Sequence, residues 1–324
     1  MQTPDWFSQY QALVQHAGLV ELGQRTQIEL TGADRATFLH NLCTNEVRRL
    51  GVGSGCEAFL TSVQGKTLAH VFIFVGPDSI VLDTVPGQGA AILKHLDHYL
   101  VCEQVTLADR SSERSAFLLS GPDSRRLLET MTDALPGAAR LAHGAAKLAG
   151  HDVWLRQVDW AGPVGFEISL PAAEAAVLAA ALEHAGATRC GYAAFDAARI
   201  EQGLPFFGAD ISDQNLPQEI ARDAQAISFV KGCYLGQETV ARIDALGHVN
   251  KTLVGLRFEG SEIPRPGGEL RAGEQTVGAV TSAAYSPHLA APLALGFVRR
   301  GSNAPGTRLQ CTSGEAEVVA LPVR

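Results

Sequence analysis

The run KGCYLGQETVAR, residues 231 to 242, gathers side chains that can do chemistry. Cys233 stands between Gly232 and Tyr234, and Gly236 is followed by Gln237 and Glu238. If Gly236 opens a helix, its free N–H groups favour a carboxylate in the first turn and, close by, thiolate over thiol. Lys231 adds positive charge beside the sulfur. Such a thiol can act as a nucleophile, a redox group or a transient metal ligand. The same letters also spell a tight turn, with Gly232 and Gly236 present for backbone freedom, Lys231 and Tyr234 docking the turn, and the cysteine filling space. No histidine or aspartate can be assigned to Cys233 as a base, so a cysteine-hydrolase triad is not expected.

A second group lies upstream. The spacing predicts a helix from about residue 192 that carries Phe195 and Arg199 at i and i+4 and ends at Gly203, with Pro205 just beyond. Glu201 then sits in the last turn, where a carboxylate faces the negative end of the helix dipole. Two readings remain open: Glu201 is solvated or paired with Arg199 or Arg222, or it meets the edge of a ligand. A carboxylate accepts two parallel bonds from adjacent N–H donors, and the 2-amino and N3–H edge of a pterin offers such a pair. Phe195 or Tyr192 would supply an apolar face for the flat ring.

The elements that must position these groups show an internal repeat. LTGADRATFLHNL at 30 to 42 aligns with LSGPDSRRLLETM at 119 to 131. Each reads as a strand end, a glycine turn, an Asp in the first helical turn and an apolar helix face: Phe38, Leu39 and Leu42 in one, Leu127, Leu128 and Met131 in the other. Strand-like runs follow each copy, including a hairpin turning at Gln64-Gly65 and a pair of strands divided by Ala161-Gly162-Pro163. Beyond about 245 short strand-like runs separated by Gly and Pro replace helical periodicity. The expected fold is α+β: two related antiparallel-sheet and helix units, 1–110 and 111–244, plus a C-terminal β-barrel, 245–324.

Composition narrows the class. The chain has 324 residues, 46% hydrophobic and 19% charged, with a formal net charge of −8; this suits a globular protein and argues against broad nucleic-acid binding. No run reaches the roughly 18 apolar residues of a membrane span; 173 to 187 reads instead as an Ala-rich surface helix. The first 24 residues lack Lys and Arg, against a secretory or mitochondrial leader, so a cytoplasmic location is expected. The six cysteines have no CxxC or zinc-type spacing, and His95 and His98, three apart, are read as helix surface.

The segment LPQEI…ISFVKGCYLGQETVAR resembles the signature of the YgfZ-type folate-binding proteins. It matches the hallmark KGCYxGQE at Lys231, Gly232, Cys233, Tyr234, Gly236, Gln237 and Glu238. LTGADRATFLHNLCTNEV resembles that family's N-terminal segment, RIEQGLPFFGAD its central one, and GAVTSAAYSPHLAAPLALGFV the C-terminal barrel it shares with the glycine-cleavage T-protein. The resemblance implies a ring-like three-domain arrangement with tetrahydrofolate in the central opening; one cysteine cannot hold a cluster alone, so no permanently bound metal is expected. It places Glu201 at the pterin and Cys233 as a functional thiol. It further implies an accessory role in iron–sulfur cluster assembly or repair, with assembly proteins or client enzymes as partners and an indirect effect on tRNA modification. The alternative is a folate-dependent aminomethyltransferase or related one-carbon transferase. Against that alternative, T-proteins carry an Asp pair after the hairpin glycine, where this chain has Leu68, Ala69 and His70; an amine leaving group would then need its proton from elsewhere, with His70 as a candidate. Arg199, Arg222 and Arg242 are candidates for the folate tail.

Overall fold

Asp5 opens the first helix. Its carboxylate accepts the Ser8 N–H at 2.8 Å, the bond by which an N-cap satisfies an unpaired helix amide. That helix, α1 (Trp6–Gln15), and strand β1 (Gly18–Gly23) come first in the chain but do not join the first sheet. The computed structural model describes residues 5–323.

The first sheet contains β2 (Thr26–Thr31), β3 (Gly55–Thr61), β4 (Thr67–Val75), β5 (Ser79–Thr84) and β6 (Thr106–Asp109), with α2 (Arg35–His40) and α3 (Gly89–His98) in the same stretch of chain. Its order is β3-β4-β5-β2-β6, antiparallel throughout. One face packs Ile28, Val71 and Ile73 against Phe38 and Leu39 of α2 and Ile92 and Leu96 of α3. The second sheet contains β7 (Arg114–Ser120), β8 (His143–Leu148), β9 (His151–Val158), β10 (Gly165–Pro171) and β11 (Thr188–Cys190), with α4 (Ser124–Glu129) and α5 (Ala175–His184). Its order is β11-β1-β7-β10-β9-β8, and only β1 with β11 runs parallel among these pairs.

The start of the first unit, read as 1–110, therefore needs correction, because residues 6–23 pack with the second unit. The repeat explains why. In the first copy the Asp34 N–H bonds the Gln104 carbonyl, just before β6; in the second the Asp123 N–H bonds the His16 carbonyl, just before β1. Gly32 and Gly121 turn under these same carbonyls at φ of +104° and +116°, and a Cβ at either would collide with the carbonyl. β1 thus takes against β7 the place that β6 takes against β2. The expected surface helix, α5, turns Leu178 and Leu182 into the second core.

A connector leads from α6 (Tyr192–Glu201) through a 3-10 turn at Pro217–Ile220, α7 (Asp223–Ala226) and α8 (Gln237–Leu246). A closed barrel follows, built from β12 (Lys251–Phe258), β13 (Glu269–Ala272), β14 (Gln275–Ser286), β15 (Ala291–Arg299), β16 (Arg308–Cys311) and β17 (Gly314–Val319), ordered β12-β15-β14-β13-β16-β17. Closure leaves no free sheet edge. Among the described residues no helix is long and apolar enough to cross a membrane.

Candidate functional site

The face of the β3–β4 hairpin opposite its helices carries Glu57, Phe59, His70 and Phe72. Register places Glu57 across from Phe72 and Phe59 across from His70, so period-two alternation sets all four on one side. The connector and the second unit close over this face. Glu57, wholly buried, receives Arg222 Nε on Oε1 at 2.8 Å and Arg222 Nη2 on Oε2 at 2.6 Å. Arg140 from the second unit also bonds Oε2, and His70 Nε2 lies 2.7 Å from Oε1. Burial alone would raise the carboxyl's pKa, but the charge and hydrogen bonds of Arg222, with those of His70, hold it well below the usual carboxylate range. His70 is itself buried, its ring centroid 5.1 Å from Phe59 and 5.4 Å from Phe72.

A charged seam continues between the two sheets. Asp83 on β5 accepts Arg25 at 2.7 Å and Arg156 at 3.4 Å. Arg156 also reaches both oxygens of Glu167 at 3.1 Å, whose pKa burial pushes up to about 7. Arg25 lies over the Trp160 ring at 4.5 Å. None of Glu57, Arg140, Asp83 or Glu167 was singled out from sequence. The available signal was a carboxylate at alternate position in otherwise apolar strands, as in GCEAFLT, which marks a buried charge in need of a partner.

The helix residues expected at a ligand lie elsewhere. Glu201 is the last residue of α6 and is 0% exposed; Tyr10 Oη donates to its Oε2 at 2.7 Å and Ser286 Oγ to its Oε1 at 2.5 Å. Neither Arg199 nor Arg222 pairs with it in the bonds described. Phe195 is buried in the core beside Tyr10, Leu118 and Trp160, so it offers no ring face to a ligand; Tyr192, 55% exposed and edge-on to Phe195 at 5.6 Å, does. Arg199 is consumed internally. Its Nε binds Asp196 at 2.6 Å, its Nη1 Asp210 at 2.8 Å and its Nη2 Ser282 on the barrel at 2.9 Å. It pins α6 to β14 and is corrected from ligand contact to support. Of the tail candidates, Arg222 is committed to Glu57 and Arg242 is exposed on α8.

The KGCYLGQE run is a clasp. Lys231 Nζ donates to the carbonyls of His40, Cys43 and Asn45 at 2.5, 2.7 and 2.9 Å, capping the C-terminal turn of α2, and sits 4.8 Å from the Tyr234 ring. The Leu235 carbonyl accepts Thr61 Oγ1 at 2.6 Å. Gly236, at φ +79°, fits under the Ser62 carbonyl where a Cβ would collide, and the Tyr234 N–H reaches Gln237 Oε1 at 3.3 Å. Glu238 lies exposed in the first turn of α8. Gly232 and Cys233 are exposed, and Cys233 precedes the first helical residue by four positions, so the helix start does not hold the sulfur. No group of three or more His, Cys, Asp or Glu among the described residues is arranged to hold a metal.

A cavity of about 200 Å³ opens where the end of α6, the connector and the barrel meet; Arg222, Gln202, Gln225, Asn303, Leu253 and Leu321 are among its walls. Arg222 thus lines the cavity and holds Glu57.

Two sheet-and-helix units with a charged seam, joined through a clasped connector to a closed barrel, define the T-protein class of folds. Residues 1–226 match the family model described as the GCVT N-terminal domain, and residues 251–323 that of the glycine cleavage T-protein C-terminal barrel domain. The chain belongs to the glycine-cleavage T-protein-like family. It is 30% identical over 322 residues to an aminomethyltransferase of Herpetosiphon aurantiacus, covering 98% of this chain and 88% of the relative. With an aminomethyltransferase of Streptomyces avermitilis it shares 29% over 320 residues, covering 94% and 86%. The crystal structure of glycine cleavage system aminomethyltransferase T from Bartonella henselae superposes with a TM-score of 0.86 at 22% identity, covering 98% of this chain and 89% of that one, which bears on the fold. The near full-length match to relatives named aminomethyltransferase overturns the expected role as an accessory protein for iron–sulfur clusters. The partners and the tRNA effect inferred with that role go with it.

Proposed function

We propose that the chain is a tetrahydrofolate-dependent aminomethyltransferase, or a one-carbon transferase of the same class. The observation that carries this reading is the pairing of His70 with Glu57 at 2.7 Å. The missing Asp pair after the hairpin glycine was the sequence's argument against amine transfer. A carboxylate and an imidazole now stand together on that hairpin, which supports the reading together with the relatives' names.

Releasing an amine from an aminomethyl group requires a proton at the departing nitrogen, and a positioned acid is worth about 10²–10⁴-fold. His70 is the group assigned to that proton transfer. Glu57 orients the ring through Nε2, and Arg222 and Arg140 keep Glu57 ionised. Tetrahydrofolate, when bound, supplies the nitrogen that accepts the one-carbon unit. The residues present fit its ring end: the 200 Å³ cavity offers amide groups on Gln202, Gln225 and Asn303 between apolar walls. It is smaller than the roughly 300–1,000 Å³ of sites that enclose a whole drug-sized ligand, which leaves the tail outside. Glu201, adjacent in sequence to Gln202, would join such a site by exchanging the Tyr10 or Ser286 hydroxyl for the ring's paired N–H donors. The KGCYLGQE clasp keeps its resemblance to YgfZ-type members, and we read it as the means by which this member locks its connector to the hairpin.

The test is turnover of a carrier protein bearing an aminomethylated lipoyl arm, with tetrahydrofolate present. Formation of methylene-tetrahydrofolate with release of ammonia is expected. A folded protein that binds tetrahydrofolate and releases no amine would contradict the proposal.

A further inference from the structure

A larger cavity, about 560 Å³, adjoins the first and shares Ala221 and Asn303 with it; it lies between the 3-10 turn, α7 and α8 and the barrel residues Thr252, Arg300 and Asn303. Gln218, only 8% exposed, is held in one orientation because its Nε2 donates to the Val240 carbonyl at 2.7 Å. Its Oε1 is thereby left as a buried acceptor, and among the described residues it has no hydrogen-bond partner; neither has the buried Oδ1 of Asp223. Both residues line the cavity. Leaving a buried acceptor without a donor is unfavourable, so two together favour a ligand rich in N–H donors.

Charge points the same way. Burial, together with the neighbouring charge of Asp244, pushes the Asp223 carboxyl up to about 6, so a cation beside it relieves both effects. Phe229 and Ile243 contribute an apolar stretch of wall. The basic residues of the lining are His248, which precedes the barrel, and Arg300 on it. Both are exposed, and neither forms an ion pair with Asp223 or Asp244 among those described.

We propose that this cavity is a second ligand site that takes an organic cation: an ammonium or guanidinium group seated on Gln218 Oε1 and Asp223, carried on an apolar body against Phe229 and Ile243. It is separate from the Glu57–His70 face and does not rest on the activity proposed there.

Calorimetric titration of the full chain at pH 7.5 tests this, with phenethylammonium as probe and 2-phenylethanol as the same ring without charge. The cation is expected to bind at least tenfold more tightly than the alcohol. Asp223→Asn should weaken it about tenfold and Gln218→Met several-fold, with circular dichroism showing both variants folded. Affinity should also fall as pH drops through about 6, where Asp223 takes up a proton. Equal binding of cation and alcohol, no binding to the folded wild type, or undiminished binding by folded Asp223→Asn would each overturn the proposal.

Discussion

Replacing Glu57 by Gln keeps the shape of the side chain and removes its charge. The amide oxygen can still accept two of the four bonds made to the carboxylate, while the NH₂ group must face donors of Arg222 and Arg140 where Oε2 stood. Two charge-assisted bonds worth about 1.5–3 kcal/mol each are lost, and the Arg222 guanidinium remains without its counter-charge, while Arg140 keeps Asp159 at 2.9 Å. Breaking a buried pair in this way costs about 3–5 kcal/mol. With a urea dependence of about 1–3 kcal/mol per molar, the unfolding midpoint should drop by roughly 1–5 M at pH 7. The sign of the pH dependence follows from the lowered carboxyl: wild-type stability from this group is fully present above the ordinary carboxylate range and is lost as pH falls through the depressed folded value. The gap between wild type and Glu57→Gln should therefore narrow in acid. A loss below about 1 kcal/mol at pH 7, or a gap that widens as pH falls, would refute the assignment of Glu57 as the ionised hub of this face.

Other consequences are accessible by similar means. Lys231→Met strands three carbonyls and should cost about 2–4 kcal/mol, whereas Cys233→Ser, on an exposed residue, should stay within about 0.5 kcal/mol in the same urea titration. Gly236→Ala places a Cβ against the Ser62 carbonyl at positive φ and should destabilise by about 1–3 kcal/mol, read as a lowered melting temperature. Asp223→Asn should act in the opposite direction. A carboxyl raised to about 6 destabilises the fold once ionised, so wild-type stability falls as pH rises from about 4 to 6. With the group partly open to solvent, the variant should gain on the order of 1 kcal/mol at pH 7 and match wild type near pH 4.

Much of the architecture was legible because it is local. Gly32 and Gly121 announced the repeat, Gln64-Gly65 the hairpin, and Gly203 with Pro205 the end of α6, each through a backbone requirement carried by one or two residues. The strand-like runs after 245 announced the barrel. What escaped was set by contacts remote in sequence. β1 pairs with β7 across the whole first unit, Glu57 meets Arg222 at a separation of 165 residues, and Glu201 is satisfied by Tyr10 and Ser286 at separations of 191 and 85. Local spacing offered Glu201 only Arg199, Arg222, solvent or a ligand as partners and gave Arg199 an apparent freedom that the fold removes. In the 231–238 run, Lys231 and Gly236 do dock a turn, as one of the two sequence readings held, and the exposed sulfur is the part that spacing left without a structural task.

The most direct measurement is single-turnover release of ammonia from the aminomethylated carrier with tetrahydrofolate, comparing wild type with His70→Asn at matched folded fraction. The expected result is folate-dependent release in the wild type and a fall of about 10²–10⁴-fold in the variant, with tetrahydrofolate affinity changed little. Release at an undiminished rate by His70→Asn would contradict the assignment of the hairpin imidazole as the group that moves the proton.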